Sequence, residues 1–485
     1  MGNGELKEKV AAGVAWSIAE KAGSMLLQMA VSLIVARLLM PEDIGVMAIL
    51  TFFTAVALVV VDSGFSQTLI RRKDNPTDEE YMSVFLFNIA MSAVLYVVLV
   101  AVSPLVAAYY GQPVITAIAP VLFLLLPVNA LCVIQNTIFT RQFRFGLLSQ
   151  ATFASSLTAG IVAIGMALAG CGVWSLVGQR LTSMVVKAAI LWFCSSWRPG
   201  SRFSAAPVRE MAPFSLRLMS TDIISSVYNN VASLFIGKIY SADTLGYFNQ
   251  AQKLKDLPVT STMQAVQSVT YPALSKIDGD ERKFAESYRQ VMMVVAFVMF
   301  PMMAGIVAVA DDLFMLLLGA KWMPTVPYLR ILCITGLFYP LATISYNILK
   351  VRSDGQIILR LEIVKKIIMT AILAITIPQS VKAVAWGLAA MSLCELIVNF
   401  TASQRYVSLS LLRMVRTLLP TIMITAAMYV VVMLVGRSVD GYGEVLRLLI
   451  MIATGVVTYM VLALAFRLEA AREIIGVVRR MAGKD

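Results

Sequence analysis

A chain of 485 residues that is 59% hydrophobic and 14% charged, with a mean hydropathy of +0.81, lies well outside the composition of a soluble domain, in which about a quarter of residues are charged. It reads as a polytopic membrane protein. The formal net charge of +12 does not point to nucleic acid, because the basic residues are spread over short connections between apolar runs, as membrane topology requires. There is no histidine, which removes imidazole bases, histidine metal ligands and histidine proton relays together. Cys132, Cys171, Cys194, Cys333 and Cys394 lie scattered in apolar surroundings, so neither a disulfide framework nor a metal knuckle is indicated.

A helix needs roughly 20 apolar residues to cross the hydrocarbon core. Such runs fall near 14–39, 44–70, 82–110, 114–140, 147–169 and 173–196. The first is too long, and too poor in a small-residue cleavage site, for a signal peptide, and is expected to stay as the first span. A basic stretch over 197–210, containing Arg198, Pro199, Gly200, Arg202, Pro207 and Arg209, then interrupts the pattern and reads as a cytoplasmic linker. The runs near 211–239 and 245–274 are so rich in Ser, Asn, Gln and Lys that hydropathy alone would reject them. Clearer spans follow near 291–318, 325–349, 357–377, 383–403, 412–435 and 444–466. The expected architecture is all-α with fourteen transmembrane helices: an N-lobe over 1–196 (helices 1–6), a C-lobe over 211–406 (helices 7–12), and two further helices with a basic tail over 407–485.

An internal repeat admits the two polar runs as spans. Residues 32–47, SLIVARLLMPEDIGVM, return without a gap as residues 233–248, SLFIGKIYSADTLGYF. Ser32 meets Ser233, Arg37 meets Lys238, Glu42 meets Asp243 and Gly45 meets Gly246. Upstream, the polar stripe Lys21, Ser24, Gln28 and Ser32 aligns with Asp222, Ser225, Asn229 and Ser233, and each stripe falls within about 80° on a helix. The repeat returns where Trp174 faces Trp386. Because each lobe holds an even number of spans, the copies enter the membrane from the same side, a parallel repeat about an axis along the membrane normal. Lys and Arg crowd alternate connections, among them Arg71, Arg72, Arg141, Arg198, Arg352 and Arg405, whereas the other side holds Lys321, Lys382 and Arg437. Both termini are therefore expected in the cytoplasm.

An ionisable group at the bilayer centre costs at least about 2.5–3.5 kcal/mol, so those expected at depth are functional candidates. They are Glu20, Lys21, Arg180, Lys187, Arg217, Asp222, Lys253, Lys255, Asp256 and Glu395. Arg180 and Lys187 share a face of the sixth span, while at the matching positions of the twelfth span Ser183 aligns with Glu395 and Lys187 with Asn399. Two readings stand. Lys21 with Asp222, or Lys187 with Glu395, could pair as struts or gate latches. Alternatively, Lys21, Arg180, Lys187 and Arg217, with Ser24, Gln28 and Asn229, line a cavity for an anionic ligand while Asp222 and Glu395 take a coupling cation or proton. Other features read as structural: Asp311 and Asp312 as interfacial, 278–290 as a surface linker, Gly160, Gly165, Gly170 and Gly172 as packing positions, and Trp16, Trp174, Trp192, Trp197, Trp322 and Trp386 as interfacial anchors. No nucleotide-binding glycine loop, catalytic triad spacing or cofactor motif is present, so this is not read as an enzyme.

Several strings resemble a known family: ARLLMPEDIGVMAI from Ala36, DSGFSQTLIRRKD from Asp62, IGKIYSADTLGYFNQA from Ile236, YPALSKI from Tyr271, LLLGAKW from Leu316 and RSDGQIILRLEIVKK from Arg352. They resemble the polysaccharide transporter branch of the multidrug/oligosaccharidyl-lipid/polysaccharide (MOP) exporter superfamily, the Wzx-type flippases of O-antigen, teichuronic acid and exopolysaccharide synthesis. Two departures are local: Ala320 stands where the family has an acidic residue, and Gly355-Gln356 where it has more apolar ones. The resemblance implies a two-lobed helical bundle with a V-shaped cavity in the bacterial inner membrane. Its substrate would be a polyprenyl-pyrophosphate-linked oligosaccharide, with membrane lipids around it, a possible cation or proton coupling, and other polysaccharide-assembly proteins as partners. Two alternatives stay open. A drug or small-metabolite antiporter of the same superfamily would favour an acidic cavity, and a membrane polysaccharide polymerase would need a sizeable outer loop.

Overall fold

The computed structural model describes residues 23, 25–72, 74–200, 203–276, 281–353, 355–407, 409–439 and 441–473, and every regular element among them is helical. In chain order these are α1 (Met25–Leu38), α2 (Pro41–Asp62), α3 (Phe65–Arg71), α4 (Asp78–Tyr110), α5 (Val114–Leu122), α6 (Leu125–Arg141), α7 (Phe145–Leu168) and α8 (Trp174–Cys194). There follow α9 (Ala205–Ile239), α10 (Ala242–Lys276), α11 (Glu281–Ala308), α12 (Ala310–Leu317), a 3-10 turn over Ala320–Thr325, α13 (Val326–Arg352), α14 (Gly355–Thr376), α15 (Val381–Ser403), α16 (Leu411–Ser438) and α17 (Glu444–Ala465). Ten described segments are long and apolar enough to cross a membrane. The most apolar stretch of α4 is only 22% buried within the protein. Val94, Val97, Val98 and Leu105 stand exposed along it, an arrangement that water would penalise and lipid would not. At 1.5 Å per residue, α9 and α10 (35 residues each) and α14 (22 residues) also have spanning length, but their polar side chains keep them out of the ten.

Packing divides the chain into two compact units, 1–246 and 247–485. In the first, Val31 and Val35 of α1, with Leu39 just after it, bury against Ala163 and Ala167 of α7. Gly160 lets that approach happen, since a Cβ there would sit 2.6 Å from Val31 Cγ2. A second core joins α3, α4, α6 and α9 through Phe65, Leu69, Phe85, Ile134 and Met211. In the second unit α13 packs extensively along α15, and Met293, Ile424, Val432, Met451 and Tyr459 join α11, α16 and α17.

Several spans are discontinuous. The expected 44–70 run breaks between α2 and α3, where Ser63 (φ 48°) and Gly64 (φ 70°) both adopt the left-handed conformation. At Gly64 a Cβ would also come within 2.7 Å of the Ser215 carbonyl oxygen, so glycine serves both the turn and the contact with α9. Thr68 and Ser215 share a 2.8 Å hydrogen bond beside it. The 114–140 run divides into α5 and α6, and the 291–318 run into α11 and α12. Residues 281–290, expected in a surface linker, form the first turns of α11, with Phe284 and Tyr288 fully buried. Tyr288 Oη and Ser345 Oγ lie 2.8 Å apart there, so the amphipathic period, not the charge, decides this stretch. Similarly, α9 begins at Ala205, inside the stretch read as a linker. Trp322 is not an interfacial anchor: it is wholly buried, with its ring edge-on to Tyr247 at 5.9 Å.

The repeat reappears as geometry. The helices α1 and α9 end at corresponding residues, Leu38 and Ile239, and α2 and α10 begin at corresponding residues, Pro41 and Ala242. Proline suits the first position of α2, and Asp43 Oδ2 accepts the Met40 N–H at 3.0 Å. On the other copy Ser241 Oγ accepts the Thr244 N–H at 3.1 Å. The two turns pack against each other reciprocally: a Cβ on Gly45 would collide with the Ala242 carbonyl oxygen, and one on Gly246 with the Pro41 carbonyl oxygen. Each glycine therefore meets the repeat counterpart of its partner's neighbour. Gly45→Leu or Gly246→Leu is expected to part the turns, costing about 1–3 kcal/mol of stability through overpacking. In a background without the native cysteines, a cysteine at the half-buried Ser241 should then label several times faster with an impermeant thiol reagent. Unchanged labelling would show that the turns do not close on each other.

Candidate functional site

In the first unit the candidate basic groups lie on α8. Val177, Ala188 and Leu191 form its buried stripe, and Arg180 and Lys187 lie about 60° to one side, at the edge of that stripe and partly exposed. Neither forms an ion pair among the described residues; Lys187 lies within Coulombic reach of the buried Cys132 thiol on α6. On α9, Arg217 and Asn229 are exposed and Asp222 is half-buried. The Asp222 carboxylate lies within Coulombic reach of Asp62, at the broken end of α2, and Ser66 Oγ donates to Asp62 Oδ1 at 2.5 Å. Lys21 and Ser24 lie outside the described residues. Gln28 is exposed on α1 and its Nε2 donates to Ser156 Oγ of α7 at 3.4 Å.

In the second unit Glu395 has a partner that the sequence reading did not name. Lys365 of α14 is buried (4% exposed), with Nζ 2.5 Å from Glu362 Oε1 and 3.4 Å from Glu395 Oε1. The Lys365 ammonium also lies 4.7 Å from the Tyr346 ring centroid, and Lys350 approaches the same ring at 4.8 Å. Two carboxylates, one buried ammonium and one aromatic face thus make a compact ionic cluster built by α13, α14 and α15. The available signal was the three-residue spacing of Glu362 and Lys365, which puts both on one helix face. Asn399, aligned with Lys187, is buried and its Nδ2 donates to the Ala342 carbonyl at 3.1 Å, tying α15 to α13. Lys255 pairs with Asp256 at 2.5 Å.

Two arginines read only as topological markers have structural work to do. Arg141, the last residue of α6, donates to the carbonyls of Leu69 (2.5 Å), Arg72 (3.0 Å) and Asp74 (3.0 Å), collecting the end of α3 and the turn after it. Arg352, the last residue of α13, donates to the Tyr406 carbonyl at 3.0 Å and lies 3.8 Å from the Phe284 ring centroid. Asp311 is paired with Arg330, and Asp312 lies 3.3 Å from Arg447, so each half of the diacid has its own arginine.

This helical order matches solved transporters of one class. The structure of the lipid II flippase MurJ in an inward closed conformation superposes with a TM-score of 0.74, covering 95% of this chain and 100% of that one at 13% identity. An inward-facing multidrug resistance MATE family transporter of the MOP superfamily gives 0.63, covering 79% and 94% at 16% identity. The fold is that of the MOP superfamily, an all-α multi-pass membrane architecture. Within it the chain belongs to the polysaccharide biosynthesis protein family, whose profile matches residues 34–327. It is 24% identical over 418 residues to the teichuronic acid biosynthesis protein TuaB of Bacillus subtilis (strain 168), covering 84% of this chain and 86% of that protein. It is 26% identical over 348 residues to the lipopolysaccharide biosynthesis protein WzxC of Escherichia coli (strain K12), and 23% identical over 335 to the succinoglycan biosynthesis transport protein ExoT of Rhizobium meliloti (strain 1021). The WzxC match covers 68% of each chain, and the ExoT match covers 69% of this chain and 68% of that protein.

The buried cluster yields a stability test. Removing Lys365 leaves two carboxylates facing each other without their counter-charge, so Lys365→Met is expected to cost about 3–5 kcal/mol. Neutralising Glu362 and Glu395 to Gln in the same protein should recover part of that loss, with a coupling of about 1 kcal/mol or more in thermal unfolding of the purified protein. Strictly additive effects would show that the three charges do not act together.

Proposed function

We propose that the protein is a flippase that moves a polyprenyl-pyrophosphate-linked oligosaccharide repeat unit across the bacterial inner membrane for surface polysaccharide synthesis. The observation that carries this reading is the state of α8: Arg180 and Lys187 lie within a membrane-spanning helix and neither forms an ion pair among the described residues. A cation at that depth is costly unless it meets water or an anion. A pyrophosphate is such an anion, and cannot cross hydrocarbon unaided. The family and its relatives named for teichuronic acid, succinoglycan and lipopolysaccharide synthesis supply the context. Lys21 and Arg217 would extend the basic wall, and Ser24, Gln28 and Asn229 would offer hydrogen bonds to the glycan while the prenyl tail stays in lipid.

In this reading the ten apolar segments, together with α1, α9, α10 and α14, make fourteen spans. The repeat defines two six-helix lobes over 1–196 and 211–406, joined by 197–210 and followed by helices 13 and 14 with a tail over 407–485, and the lobes work by alternating access. Both termini face the cytoplasm, on the side rich in Lys and Arg. The protein binds and moves its lipid-linked cargo without covalent chemistry, and other polysaccharide-assembly proteins would supply and consume it. Asp222, within Coulombic reach of Asp62, is the favoured place for a coupling proton or cation, and Glu395 works with Lys365 as a gate. Acidic groups such as these are what a drug or metabolite antiporter would use, and that is the second reading.

The test follows surface polysaccharide and the accumulation of lipid-linked repeat units in cells making each variant at normal level. Arg180→Gln and Lys187→Gln should each reduce export by about tenfold, equivalent to about 1.4 kcal/mol of lost anion stabilisation. Arg217→Lys should retain more export than Arg217→Gln, and Lys21→Gln should be worse than Lys321→Gln. If Lys21 only latches onto Asp222, neutralising both should restore what either single change loses. Full export by a variant lacking all four basic groups would remove the anion-binding mechanism. A drug-efflux phenotype with normal polysaccharide would favour the antiporter.

A further inference from the structure

A cavity of about 930 Å³ lies within the second unit between α11, α16 and α17. Its walls are apolar, with Met293, Ile424, Ala427 and Leu462 among the lining side chains, and its lining also includes four arginines, Arg289, Arg413, Arg416 and Arg467. Arg289 is already neutralised, 2.8 Å from both Glu286 and Glu469. Arg413, Arg416 and Arg467 are exposed and form no ion pair among the described residues. Arg413 and Arg416 occupy the first two turns of α16, whose start is capped by Ser410 Oγ accepting the Arg413 N–H at 3.3 Å.

Arg467 adds an independent observation. It follows the C-cap of α17 with φ 48°, the left-handed position that favours glycine. The Arg467 N–H reaches the Leu464 carbonyl at 3.1 Å and the Leu468 N–H reaches Ala463 at 3.0 Å. An arginine there gives up the backbone freedom that glycine would have, and its side chain joins the cavity lining. Three guanidinium groups that form no ion pair among the described residues thus converge from two helix ends on one apolar groove, a combination that fits a fixed phosphate attached to a hydrocarbon chain. These residues belong to the Lys- and Arg-rich end of the spans, which faces the leaflet with the more negative surface.

We propose that this groove is a binding site for an anionic phospholipid of the membrane, with the phosphate held by Arg413, Arg416 and Arg467 and an acyl chain laid between α16 and α17. The ligand is a resident lipid, distinct from transported cargo. The proposal rests on the membrane reading of the chain and not on the identity of its substrate, so a failed export assay leaves it standing.

The test measures binding of fluorescent phosphatidylglycerol and phosphatidylcholine to the purified full-length protein in detergent. The wild type should prefer phosphatidylglycerol. That preference should fall about fivefold for each arginine changed to glutamine and about a hundredfold for all three, while Arg405→Gln, outside the groove, leaves it unchanged. Ala427→Trp, which fills the apolar wall with the arginines intact, should weaken both lipids at an unchanged melting temperature. Equal binding of the two lipids by the wild type, or a preference that survives the triple substitution, would overturn the proposal. So would a polyprenyl phosphate that binds through the same arginines more tightly than phosphatidylglycerol, which would reassign the groove to cargo.

Discussion

The cost of an uncompensated charge in hydrocarbon organises this molecule. In water a lysine or a glutamate can stand alone, but at bilayer depth each must meet an opposite charge, water or a ligand. The second unit takes the first course, with Lys365 held between Glu362 and Glu395 and Lys255 beside Asp256. The first unit leaves Arg180 and Lys187 on α8 without such partners among its described residues. That difference between the two copies of the repeat is the asymmetry on which the anion-binding proposal rests.

The same accounting applies to the backbone. A broken helix inside a membrane protein must have its freed carbonyls met by other protein groups. Where α3 ends, Arg141 supplies donors to the Leu69, Arg72 and Asp74 carbonyls, and Arg352, at the end of α13, reaches the Tyr406 carbonyl beyond α15. Arginine suits this role because its donors lie in one plane and stay charged. These residues look like topology signals in the sequence, yet their contacts make them fasteners of the loops at the basic end.

Close approach sets the second constraint. The turns around Gly45 and Gly246 pack backbone to backbone in a reciprocal contact, so that neither position has room for a methyl group. Because the two glycines are repeat counterparts, one sequence feature serves both halves of the contact. Rigid, tightly fitted turns of this kind have discrete arrangements, either packed or apart, which is the property a transporter's closures require.

The sequence by itself determined the membrane class, the helical architecture, the internal repeat and its turn boundaries, since these follow from local hydropathy, helical period and turn chemistry. The repeat even identified α9 and α10 as long helices against their own hydropathy, and the family strings pointed to the superfamily whose fold the chain has. What only the tertiary structure decided was how side chains meet. It ended α2 at Ser63–Gly64, buried Trp322, drew 281–290 into α11 and gave Glu395 to Lys365. Each of these depends on the rotation and depth of a helix relative to its neighbours. A helix with apolar residues all round carries little record of that rotation in its own sequence, so packing chooses the face, and the face chooses the partner.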